Sequence, residues 1–177
     1  MATTGTILVP PPHPATLAIE DLLESCEIGR GRASGPGGQH RNKVETKITI
    51  LHVPTGIEAH ADERRSQGEN RSVAIFRLRL LLATHCRAPV GLGEIRSALW
   101  LSRTRGGRIA CNPAHADFPA MLAEALDVIA AAAWDAKAAA LRLGCSMSQF
   151  VKLVKDHPHA FVLMNKEREA RGLHPIK

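Results

Sequence analysis

Gly37, Gly38 and Gln39 lie within the run Arg32-Ala33-Ser34-Gly35-Pro36-Gly37-Gly38-Gln39-His40-Arg41-Asn42-Lys43, which has no bulky apolar residue between Ala33 and Gln39. A segment with nothing to bury reads as an exposed loop. Its glycines permit positive φ and a close approach of backbone to another surface. Gln39 offers two amide donors and one acceptor oxygen without charge. Arg30, Arg32, Arg41 and Lys43 bracket that neutral tip. A thin hydrogen-bonding tip on a cationic stalk suits a narrow, phosphate-lined cavity. An ordinary Gly-Pro-Gly-Gly turn has the same composition.

Other chemistries find fewer residues. A nucleotide-cradling P-loop needs Gly-Lys followed by Ser or Thr, whereas Gly38 precedes Gln39 and Lys43 precedes Val44. The Gly-x-Gly-x-x-Gly dinucleotide fingerprint is absent from any strand-loop-helix unit. Neither a Ser-His-Asp set nor a Cys-His pair accompanies the loop, so covalent catalysis has no candidates there. Cys26, Cys86, Cys111 and Cys145 are widely spaced, and no Cys/His cluster has zinc-ligand spacing. No metal is expected, and reduced thiols in a cytoplasmic protein are. No signal peptide and no membrane span are read from the hydrophobic pattern.

The chain has 177 residues, 45% hydrophobic but only 3% aromatic, with no Tyr. That favours an aliphatic, alanine-rich core of packed helices. Formal charge is +6. Residues 1–28 hold four acids and no Lys or Arg, residues 29–110 hold fifteen bases against six acids, and residues 111–177 are nearly balanced. Positive charge gathered on the loop-bearing half is the footprint of a nucleic-acid-facing surface. A solvated basic face would look alike.

The elements that must hold the loop follow from periodicity. Residues 1–13, ending in a proline run, read as a flexible tail. A short helix over 16–23 and an extended segment over 26–32 lead into the loop. Val44, Thr46, Ile48 and Ile50 alternate with Glu45 and Lys47, the mark of a half-buried strand. Pro54-Thr55-Gly56 is turn chemistry, and a second strand over 57–61 completes an antiparallel hairpin. Ser66 and Glu69 have capping-box spacing before a helix running to about Cys86. Val73, Phe76, Leu80 and Ala83 read as its core stripe, with Arg71, Arg77 and Arg79 outside. The fold class is α+β: a small antiparallel sheet with a packed helix carries the exposed loop, and an all-α module follows. The expected divisions are 1–13 tail, 14–86 loop-bearing domain, 87–117 basic linker and 118–177 helical module. Residues 95–101 suit helix or strand, and residues 102–108 a flexible basic loop. Helices are expected from Asp117, from Asp135 to a stop at Gly144, from a Ser146 cap, and from Pro158 to Gly172. Ala140, Gly144 and Phe150 have the offsets of a helix-turn-helix. A small bundle without nucleic-acid contact fits that pattern equally.

Taken together, Ser34 to His40, Asn42-Lys43, Glu45-Thr46, Pro54 to Ile57, Asp62-Glu63-Arg64, Ser66-Gln67 and Asn70 resemble the catalytic domain of bacterial-type class I peptide chain release factors, the GGQ-domain proteins. The resemblance runs from about Leu22 to about Ala83. It departs at Arg41, where the family more often has a small apolar residue. It implies hydrolysis of the peptidyl-tRNA ester in the ribosomal peptidyl transferase centre. Gly37, Gly38 and Gln39 are then catalytic, and Arg30, Arg32, Arg41, Lys43, Arg64, Arg65 and Arg71 contact ribosomal RNA. The Gln39 backbone N–H would stabilise developing negative charge and its side chain would place water. His40 is implied as a packing or RNA-contact residue rather than a base. No cofactor is implied, and methylation of the Gln39 side-chain nitrogen is, with a glutamine methyltransferase as partner beside the large-subunit rRNA and peptidyl-tRNA. With about 30 residues ahead of the loop, a stop-codon reader is not expected, which resembles the small members that rescue stalled ribosomes. Those often end in a basic tail, whereas this chain ends in helices of balanced charge. A monomer is expected, without membrane contact. The competing reading is a non-catalytic ribosome- or RNA-binding regulatory module. A third is hydrolysis of damaged transfer-RNA conjugates away from the ribosome.

Overall fold

The computed structural model describes residues 6–31 and 46–177, and the chain divides into two compact units. The first, Leu17–Leu82, is α+β. Helix α1 (Ile19–Glu24) leads into β2 (Cys26–Gly31), which pairs antiparallel with β3 (Lys47–His52), which pairs antiparallel with β4 (Ile57–Ala61). Alternation sets the faces: Ile48, Ile50 and His52 on β3 and Ala59 and Ala61 on β4 are buried. Gly56, at φ +68°, closes the β3–β4 turn, where the His52 ring and the Thr55 hydroxyl lie 2.7 Å apart.

Helix α2 (Gln67–His85) begins where the Glu69 N–H donates to Ser66 Oγ at 3.5 Å. It is tied to the strands by polar bonds. Arg77 donates to the His60 carbonyl and to both oxygens of Glu63, at 2.9, 3.2 and 2.6 Å. Its buried face includes Asn70, Ala74, Ile75, Leu78, Leu82 and Ala83, while Val73, Phe76 and Leu80 are half-buried. Of the expected stripe Ala83 is in the core, and the other three positions sit about one residue off the buried ridge. Arg79, expected outside it, is 9% exposed. The helix is apolar on several sides between Val73 and Ala83, so spacing alone selects the wrong ridge.

The second unit comprises residues up to Thr16 and Ala83–Lys177. Strand β1 (Ile7–Leu8) pairs parallel with β5 (Cys86–Arg87), and the Val9 N–H donates to the Arg87 carbonyl at 3.0 Å. His13 is 4% exposed, and a 3-10 turn, Pro14–Thr16, packs on helix α4 (Phe118–Ala131). The described part of residues 1–13 is thus not a flexible tail: Val9 and His13 bury in this unit. Residues 87–117 are not a plain linker either. They contain helix α3 (Ala98–Arg103), capped by the Ser97 hydroxyl, and a hairpin of β6 (Thr104–Arg105) and β7 (Arg108–Ile109). Trp100 anchors them, fully buried, with its indole N–H donating to the Leu143 carbonyl at 2.8 Å.

The core of this unit is α4, where Phe118, Met121, Leu122, Leu126 and Ile129 are buried. Asp117 precedes α4 but makes no cap bond; its carboxylate accepts from Arg103 instead. Helix α5 (Ala136–Arg142) is capped by Asp135, and α6 (Met147–Lys155) by Ser146. Between them Gly144 takes φ +64°. Ala140 and Phe150 are buried, and α4, α5 and α6 pack pairwise, as a helix-turn-helix requires. Helix α7 (Pro158–Glu169) closes the bundle, its Asn165 amide bonding both backbone groups of Ile176.

Candidate functional site

Gly31 and Lys47 are paired positions at one end of β2 and β3. The chain leaves the sheet at one residue and rejoins it at the facing one, so both roots of residues 32–45 are fixed by a ladder. Gly37, Gly38 and Gln39, with Arg32, Arg41 and Lys43, lie outside the described residues.

The root is held by Asn70, fully buried in the first turns of α2. Its Nδ2 donates to the Thr46 carbonyl at 2.6 Å and to the Arg64 carbonyl at 3.0 Å, while its Oδ1 accepts from the Arg64 N–H at 2.9 Å. One amide thereby joins the return point of the loop, the turn after β4 and the start of α2. Asn70 is not among the site residues expected from sequence. Its signal was available: at four-residue spacing it shares the buried ridge of Ala74, Leu78 and Leu82, and a buried amide needs partners.

Of the expected RNA contacts, Arg30 on β2 and Arg71 on α2 are exposed and line one groove with Ile28, Ile48, Gln67 and Gly68. The groove has a volume of about 560 Å³. The structure brings these two guanidinium groups to one place beside the loop root. Arg64 and Arg65 are exposed in the turn before α2 and do not line the groove. Nearby, Glu63 titrates below its usual range, first through its own backbone N–H and further through that of Asp62 and Arg77. Burial lowers the pKa of His52. The arrangement offers cations and a fixed loop base. A polyanion such as an RNA backbone is the natural complement.

Comparison with known proteins finds a domain match for part of the chain. The model of the RF-1 domain matches residues 19–89, a stretch that spans both loop roots, the groove and Asn70. Residues 19–89 are an RF-1 domain. The chain is 48% identical over 63 residues to peptide chain release factor 1 of Acidiphilium cryptum (strain JF-5), covering 36% of this chain and 18% of that one. It is 40% identical over 75 residues to peptide chain release factor 2 of Campylobacter concisus (strain 13826), covering 42% and 20%. It is 39% identical over 79 residues to the chloroplastic peptide chain release factor PrfB1 of Arabidopsis thaliana, covering 45% and 17%. The match thus spans a fifth or less of each relative. The RF-1 domain begins inside α1 and ends just past β5, so α3 to α7 lie beyond it. Among the described residues no helix is long and apolar enough to cross a membrane.

Proposed function

We propose that the protein releases nascent peptides on the ribosome by hydrolysing the peptidyl-tRNA ester, without reading a stop codon, and so rescues stalled ribosomes. The observation that carries this is the RF-1 match over residues 19–89, which encloses Gly37-Gly38-Gln39 between two facing strand ends. On this reading the Gln39 N–H donates to the oxygen on which charge develops. Its side chain places the attacking water, and Gly37 and Gly38 give the backbone the shape that presents both. Arg30 and Arg71, with Arg32, Arg41, Lys43, Arg64 and Arg65, neutralise ribosomal RNA phosphates. Such contacts supply affinity rather than sequence choice. The helical unit, rather than a codon reader, directs the protein to its ribosomal state. Gln39 is methylated on its side-chain nitrogen by a partner methyltransferase, which peptide mass spectrometry of the native protein would reveal.

The deciding assay is peptide release from ribosomes stalled on a truncated message. Removing a single donor to a developing oxyanion costs about 10²–10³ in rate. Gly38→Pro, which alters the backbone that presents Gln39, should lower release by at least that much, and Gln39→Ala should leave ribosome binding unchanged while release falls. Wild-type release by both variants would refute the proposal. Binding with no hydrolysis by the unaltered protein would establish the non-catalytic module instead.

A further inference from the structure

We propose that helix α6 and the tip of the β6–β7 hairpin form a second nucleic-acid surface, which binds the phosphate backbone of folded RNA. The choice of RNA over DNA rests on the function proposed above; the surface itself rests on the following geometry.

Arg105 and Arg108 flank a two-glycine turn in which Gly106 and Gly107 both take positive φ, +54° and +75°. That is the two-residue turn whose twist suits a tight hairpin. The two arginines are Cα partners, and both are exposed. Like charges placed directly across a ladder destabilise it. Neither arginine has an acidic partner among the described residues. An anion between them would turn that repulsion into binding.

The tip is not free to wander from the bundle. The Ser146 N–H donates to the Gly107 carbonyl at 3.1 Å, and the Ile109 N–H donates to Gln149 Oε1 at 3.1 Å. Both bonds clamp the hairpin to the first turn of α6. On α6, Phe150, Leu153 and Val154 face the core, leaving Ser148, Lys152 and Lys155 exposed at spacings of four and three. Lys152 pairs with Asp156, at 3.1 Å, in an exposed pair of the kind worth little. Lys155 lies over the Phe161 ring at 5.1 Å. Two arginines on the hairpin and two lysines on the helix therefore share one clamped assembly.

Its side chains suit backbone contact more than base reading. A helix that reads a major groove does so with amide and guanidinium groups in its first turns. Here those turns hold Met147 and Ser148, and the Gln149 carboxamide oxygen is taken by Ile109.

The test is fluorescence anisotropy of the full chain with a labelled RNA duplex of about 16 base pairs, at rising salt. Removing one phosphate-binding cation should reduce the salt slope by about one. Arg105→Ala/Arg108→Ala and Lys152→Ala/Lys155→Ala should each weaken binding about tenfold and flatten the slope by about two. Arg105→Lys/Arg108→Lys should restore most of the affinity. The melting temperature of the arginine-pair alanine variant should hold or rise, because a repulsion is removed. Wild-type affinity and slope in both alanine pairs would overturn the proposal. So would tighter binding to a DNA duplex of the same sequence. The release assay on stalled ribosomes is scored separately from this binding assay, so the two readings fail separately.

Discussion

Asn70 shows how much a single side chain can decide. Three backbone groups meet its amide at 2.6, 2.9 and 3.0 Å in a fully buried position. Leucine would fill similar space yet leave the Thr46 carbonyl and both Arg64 backbone groups without that partner. A buried polar group left unmet costs about 1–3 kcal/mol. Asn70→Leu should therefore destabilise the protein by about 3 kcal/mol in denaturant unfolding. It should also lower peptide release more than ribosome binding, because it frees the loop root rather than removing a cation. Equal loss of both would show that Asn70 serves the fold alone. Residues of this kind are hard to read from sequence. Asn70 stood among the positions that carried the family resemblance, but Thr46 lies 24 residues away in the chain, and only folding brings its carbonyl within reach. Arg30 and Arg71 were legible as basic residues, and their meeting in one groove was not.

At the scale of elements, local chemistry was readable wherever one signal dominated. Alternation over Ile48 and Ile50, with Pro54-Thr55-Gly56 after them, specifies the β3–β4 hairpin, and β4 falls on the expected residues 57–61. Asp135, Ser146 and Pro158 mark three helix starts because capping and the proline ring act within a turn. Where two partners compete, local spacing misleads. Asp117 was expected as a cap but is drawn to Arg103, its Oδ2 accepting from Nη2 at 2.5 Å. Strands β6 and β7 have two residues each, too few for any period to register. The turn between α5 and α6 is testable on the same terms. Gly144 sits at φ +64°, where an added Cβ would also meet Arg96 Nη1 at 2.7 Å. The arginine end can swing away, so the backbone cost remains, about 1–2 kcal/mol for an L-residue there. Gly144→Ala should lower stability by that amount in thermal unfolding, with Ser146→Ala costing about 1 kcal/mol by removing the cap. No change in either would mean that α5 and α6 are not held by this turn.

On the scale of the whole molecule, the helical unit buries two titratable groups whose protons act in opposite directions. Burial pushes the Asp127 carboxyl up to about 7, despite the Ala88 N–H that it accepts and the nearby Arg87, with Glu124 raising it further. Burial holds His13 down at about 4, against the Cys86 carbonyl that favours its proton and together with the like positive charge of Arg87. The His13 geometry agrees, since Nδ1 accepts from the Ala15 N–H at 3.1 Å and so has no room for a second proton. The folded state binds the Asp127 proton more tightly than the unfolded chain. Its contribution is therefore greatest at low pH and is lost as pH rises from about 4 to about 7. The unfolded chain binds the His13 proton more tightly, so that contribution grows as pH rises from about 4 to about 6.5. Across most of this range the two slopes offset, and the wild-type stability curve should be shallow there. Asp127→Asn keeps an acceptor for Ala88 and removes one slope, so stability should then climb between pH 4 and 6.5 and level off. His13→Asn keeps an acceptor for Ala15 and should leave the falling limb, with stability declining toward pH 7. Denaturant midpoints measured every half pH unit would separate the two curves. Parallel profiles in both variants would show that neither proton is linked to folding.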